Sequence, residues 1–164
     1  MTDPFLRAFL VQCSGQAEAL FKPEPDSGPD GSPTMLAHIV AEGTDGKISV
    51  YVCPMGPDDE LMFRVGIPRK LRAEGRHRHW CFFSEAWAAE GTVGKRSPMP
   101  KDHPERMEVV SFLAENAAGD VLAARRQIYR SAGRPARLLP LVFTTERTRF
   151  VMEETGEHRI GRRR

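Results

Sequence analysis

The run His77 to Trp87, reading HRHWCFFSEAW, limits the fold more than any other part of the chain. Side chains alternate across a strand, so His77, His79, Cys81, Phe83, Glu85 and Trp87 form one row, and Trp80, Phe82, Ser84 and Ala86 form the other. Both rows are largely apolar. A strand that is apolar on both sides belongs in the middle of a sheet, shielded on either face.

The flanking sequence supplies the rest of an α+β domain. Thr2 or Asp3 can cap a first helix and Pro4 suits its first turn, where a missing amide donor costs nothing. Phe5, Leu6, Phe9, Leu10, Cys13, Leu20 and Phe21 fall near one stripe at helical spacing, so the helix is expected to pack on the sheet. Two β-branched runs around Gly43-Thr44-Asp45-Gly46 read as a hairpin. The segment 57–74 opens with Asp58, Asp59 and Glu60 and closes with Arg69, Lys70 and Arg72, which complements a helix dipole, and Gly75 sits where a left-handed cap belongs. Gly66 and Pro68 predict a kink there, or two short helices. RMEVVSFLAEN and VLAARRQIYR read as a second hairpin, RLLPLVF as a further short strand with Pro140 favouring an edge or a bulge, and RTRFVMEE as a strand or a helical turn. The expectation is a mainly antiparallel sheet of five or six strands with an N-terminal helix and one further helical segment.

The length of 164 residues suits one domain, 1–164. Residues 22–33, rich in proline, glycine and aspartate, read as an exposed connection, and 156–164 as a basic tail. Cys13, Cys53 and Cys81 form no disulfide framework, Asp3 and Arg7 break any secretory pattern, and no apolar run reaches the roughly 18 residues of a membrane helix. A soluble chain in the reducing cytoplasm, with no membrane association, is expected.

Chemistry is sparser. His77, His79 and Cys81 would share a face and offer zinc-type ligands, but no paired cysteines, HExxH or second His/Cys pair accompanies them, and Arg76 and Arg78 lie between. Core packing without a metal or other cofactor is the expectation. Glu85, set between Phe83 and Trp87, is expected to be drawn from water and to pair with Arg106, Arg126 or His103. No nucleophile elbow or phosphate loop is present.

Basic residues gather in windows: Arg69, Lys70, Arg72, Arg76 and Arg78; then Arg125, Arg126, Arg130, Arg134 and Arg137; then the terminal arginines. If these converged beside Tyr129 or Trp80, they would make a groove for RNA or single-stranded DNA. The net charge of +2 does not by itself demand a polyanion.

FFSEAWAAE, PKDHPERMEVVSFLAEN, GDVLAARRQIYR and RLLPLVF together resemble a loose set of uncharacterised bacterial proteins with a Ser-Glu-Ala-Trp strand and a His-Pro-Glu-Arg turn. The resemblance spans Trp80 to Phe143, points to Glu85, Trp87, His103, Pro104, Arg106 and Glu108, and implies no activity. With no assembled catalytic constellation, the expected role is a non-enzymatic accessory domain that binds a protein partner through the second hairpin and the basic windows. Nucleic-acid binding through the arginines is the alternative, and a hydrolase-like enzyme using Glu85, His103 and His79 the third reading. Oligomeric state is not encoded in any of these features.

Overall fold

A computed structural model describes residues 3–21, 35–53, 57–90, 106–134, 136–144 and 150–154. The expected connection at 22–33, the basic tail 156–164 and His103 lie outside the described residues.

The chain is α+β, with helix α1 (Pro4–Leu20), strands β1 (His38–Gly43) and β2 (Ile48–Val52), helix α2 (Pro57–Glu74), strands β3 (His77–Glu90), β4 (Met107–Asn116) and β5 (Val121–Tyr129), and short strands β6 (Arg137–Leu138), β7 (Val142–Phe143) and β8 (Phe150–Glu154). The sheet runs β2-β1-β3-β4-β5-β6, with β7 also on β5 and β8 on β3. Every pairing is antiparallel. The strand expected over RLLPLVF is split, with the prolyl residue Pro140 between β6 and β7, because proline brings no amide to a ladder. RTRFVMEE contributes a strand rather than a helical turn.

β3 occupies the middle, as its two apolar rows require. One of its edges meets β1 in its first half and β8 in its second, while β4 follows the other edge from His79 to Ala88. Its rows serve two separate cores. Cys81 and Phe83 pack with Leu6, Phe9, Leu10 and Cys13 of α1, and with Phe112 and Ala124 of the neighbouring strands. Trp80 and Phe82 pack on the opposite face with Phe63 and Leu71 of α2. Side chains such as Trp80, Phe83 and Leu10 are almost wholly removed from water. Each such burial contributes about 1.5–3 kcal/mol.

Asp3 is the α1 cap, its Oδ1 accepting from the Phe5 amide at 2.9 Å, with Pro4 at the first helical position. The buried stripe is narrower than the sequence predicts. Leu6, Phe9, Leu10, Cys13 and Ala17 face the sheet, whereas Phe5 and Leu20 lie off its edge and are exposed. α2 is one helical element from Pro57 to Glu74 with Pro68 inside it, so the two-helix expectation does not hold. Gly75 closes it at φ +63°, the left-handed cap that a glycine accommodates without a Cβ clash. Among the described residues no helix is long and apolar enough to cross a membrane.

Candidate functional site

The opening of β3 does not obey simple alternation. His79 pairs with Glu42 and His77 with Gly43, so β3 contributes one residue more than β1 at this point, Arg78, and the ladder carries a bulge. An extra residue switches the face on which the following side chains point. His79 therefore lies on the α1 side, stacked on Phe9 at 5.4 Å between ring centroids. His77 turns to the α2 side, beside Ser49, Tyr51 and Glu74. The shared row of His77, His79 and Cys81 expected from the sequence is thus broken. Among the described residues no group of three His, Cys, Asp or Glu side chains is placed to hold a metal ion.

Cys81 confirms its place in the core. It is wholly buried, and burial pushes its thiol well above the ordinary range, with neighbouring Cys13 adding to the rise. Such a thiol stays protonated and behaves as a small hydrophobe.

His79 instead joins a polar network that the sequence does not reveal. Its Nδ1 lies 2.7 Å from Glu42 Oε2. Its Nε2 lies 3.8 Å from Asp3 Oδ2, beyond hydrogen-bond length. Asp3 Oδ2 accepts from Asn116 Nδ2 at 3.1 Å, and the same amide nitrogen donates to Asp120 Oδ2 at 2.9 Å. Those donors, Asn116 first and the Phe5 amide next, hold the Asp3 carboxyl below its ordinary range, so it is anionic at neutral pH. The group borders an open cleft of about 510 Å³, walled by Phe5, Phe9 and Ala8 of α1 and by Ala117 and Ala118 of the β4–β5 turn. Arg78 stands at its rim with its guanidinium directed to the Thr44 carbonyl. Asp3 reads in the sequence only as a helix cap, and Glu42 only as part of a hairpin. The one local signal for the cluster is Gly43, since a glycine at a strand end often marks a bulge.

Beside this cleft, β2 carries an unusual surface. Its register with β1 puts Ile48 opposite Glu42, Val50 opposite Val40 and Val52 opposite His38. Opposed residues share a face, so these three aliphatic side chains lie on the α1 side next to the cleft. They are 41%, 54% and 50% exposed. Among the described strands β2 pairs only with β1.

The other expected site residues lie apart. Glu85 is partly buried and its Oε1 accepts from the Met35 amide at 2.9 Å. Desolvation raises its pKa, against the opposing pull of that amide and of Arg130. Arg126, one of its expected partners, is engaged elsewhere: its Nη1 donates to Glu18 at 2.8 Å, its Nε to the Leu139 carbonyl at 2.7 Å and its Nη2 to the Leu138 carbonyl at 3.3 Å. Only 8% exposed, Arg126 ties α1 to the segment after β5.

The basic windows are divided in the same way. Arg125 neighbours Arg126 on β5 and so points to the opposite face, where its Nη1 reaches Met107 Sδ at 3.0 Å. Arg130 is bound by Glu108 at 2.5 Å, and Arg137 lies 5.1 Å above the Tyr129 ring. Arg72 pairs with Glu115, whose second oxygen accepts from Trp80 Nε1 at 3.2 Å, fastening the end of α2 to the sheet. Arg69, Lys70 and Arg134 are exposed.

No family model matches the chain, and no curated protein or solved structure matches it.

Proposed function

We propose that this protein is a non-enzymatic binding domain for a protein partner, with the α1 side of the β1–β2 hairpin as its contact surface. The observation that carries this reading is the exposed row Ile48, Val50 and Val52 on a strand that, among the described residues, pairs on one side only. Edge strands are ordinarily blunted by lysine, proline or a covering element. β2 reads Ile-Ser-Val-Tyr-Val and contains neither lysine nor proline. A contiguous exposed apolar row beside a polar cleft has the composition of an interface, apolar at its centre and polar at its rim. A strand edge with no neighbour among the described residues adds backbone donors and acceptors that a partner strand can take up.

The contact surface differs from the one the sequence suggests, because Arg126 is internal and Arg72 and Arg130 are occupied by acids. The test is affinity capture from the native host with the full chain and with Val50→Lys, which changes an exposed side chain. A protein retained by the first and missing from the second supports the reading. A protein retained equally by both, or lost only on Arg134→Ala and Arg137→Ala, contradicts it.

A further inference from the structure

We infer that the partner is a second copy of this chain, joined by antiparallel pairing of β2 with β2 about a two-fold axis at Val50. This deepens the protein-binding reading and rests on it.

The β1–β2 ladder fixes which backbone groups face outward. The Gly43 amide donates to the Lys47 carbonyl at 2.8 Å and the Cys53 amide to the Ala37 carbonyl at 2.9 Å, so Lys47 and Cys53 turn their peptide groups toward β1. Backbone direction alternates along a strand, so Ser49 and Tyr51 do the same, whereas Ile48, Val50 and Val52 present theirs to the outer edge. Among the described residues no strand takes them up. A second β2 set antiparallel, with Val50 opposite Val50, places Ile48 opposite Val52 at both ends and brings outward groups to outward groups throughout. The whole strand is then paired.

Side chains also match themselves in that register. On the α1 side, the row Val40–Val50 continues into Val50–Val40 of the second copy, and His38–Val52 continues into Ile48–Glu42. On the α2 side, Ser49 stands opposite Tyr51. β2 carries no charged residue, so no like charges are opposed, and it lacks the lysine or proline that would keep two such edges apart. A foreign strand would need a matching sequence of its own; a second copy supplies one. Closed two-fold pairs are the commonest homo-oligomers, since one self-complementary patch serves both sides. The paired segment, Ile48–Val52, is small for an interface, and a dissociation constant of about 10–100 µM is expected.

The test measures the mass of the full chain by sedimentation equilibrium from about 1 µM to about 500 µM, for the native sequence, Val50→Lys, Val50→Glu and an equimolar mixture of the two variants. The native chain should pass from one copy to two across that range. Each variant alone sets like charges opposite each other at the two-fold axis and should weaken association about tenfold or more, whereas the mixture opposes lysine to glutamate and should recover the dimer. Val50 is exposed, so urea midpoints of both variants should stay near the native value. A native chain that stays single at the highest concentration, a dimer that either variant leaves intact, or a mixture that does not recover overturns the inference. If the chain is single and a different captured protein is still lost on Val50→Lys, the inference falls alone and the partner reading stands. If association and capture are both indifferent to Val50→Lys, both fall.

Discussion

Glu42 Oε2 and His79 Nδ1 meet at 2.7 Å across neighbouring strands because the two residues are register partners on the α1 side, where His79 continues the row of Cys81 and Phe83 up to the β3 bulge. Were the strand to alternate regularly through Arg78, the two histidines would face the same way; the bulge sends His77 to the α2 side instead. The contact therefore reports on both the register and the site.

Glu42→Ala leaves a nearly buried imidazole nitrogen without its acceptor. The expected loss is about 1–2 kcal/mol of stability, read by urea unfolding. Glu42→Gln keeps an acceptor and should lose less. Equal losses in the two variants would show that the hydrogen bond is not what matters.

Arg126→Ala should destabilise the fold by about 2 kcal/mol, since it strips the donor from the Leu138 and Leu139 carbonyls inside the structure. Glu18, largely exposed at 61%, can turn to water, which keeps the loss below that of a fully buried ion pair. Arg134→Ala, at an exposed position, is expected to change stability by no more than about 0.5 kcal/mol. Denaturant midpoints of the two variants decide the comparison.

Much of this architecture is legible in the sequence, and the reason differs by element. The two apolar rows of β3 demand a shielded central strand whatever the details, and Asp3-Pro4 states where α1 begins. Both are local patterns. The bulge is a relation between two strands more than thirty residues apart, and nothing in Arg76 to His79 alone marks Arg78 as the extra residue. The cleft is harder still, because it draws Asp3, Glu42, His79 and Asn116 from four separate segments. Clustering in sequence does not carry over to clustering in space for one pair: Arg125 and Arg126 are adjacent in the chain but face opposite sides of β5.

Glu85 makes a pH-dependent contribution whose sign follows from its raised pKa. The folded state holds the proton more tightly than the unfolded state, whose carboxyl titrates near the ordinary 4.5. The stabilisation is therefore complete below that value and is lost as pH rises through the folded value. Glu85→Gln has no charge to bury, so its stability relative to the native chain should rise as pH climbs from the ordinary 4.5 through the raised folded value. Parallel pH profiles would contradict the burial of this carboxyl.

Gly75→Ala isolates the cost of backbone conformation. No atom lies within 4 Å of the place an added Cβ would take, yet φ is +63°. A loss of about 1–2 kcal/mol is expected from the left-handed conformation alone, measured by thermal or urea unfolding. An unchanged stability would mean that the α2 terminus is not held at that angle.

The claim that the α1 side of the β1–β2 hairpin is the working surface is tested most directly by hydrogen–deuterium exchange of the full chain with and without its captured partner. New protection is predicted over Ile48–Val52 and at Asn116 to Ala118 around the cleft. Protection confined to α2 or to Arg134–Arg137, with β2 exchanging as before, would contradict it.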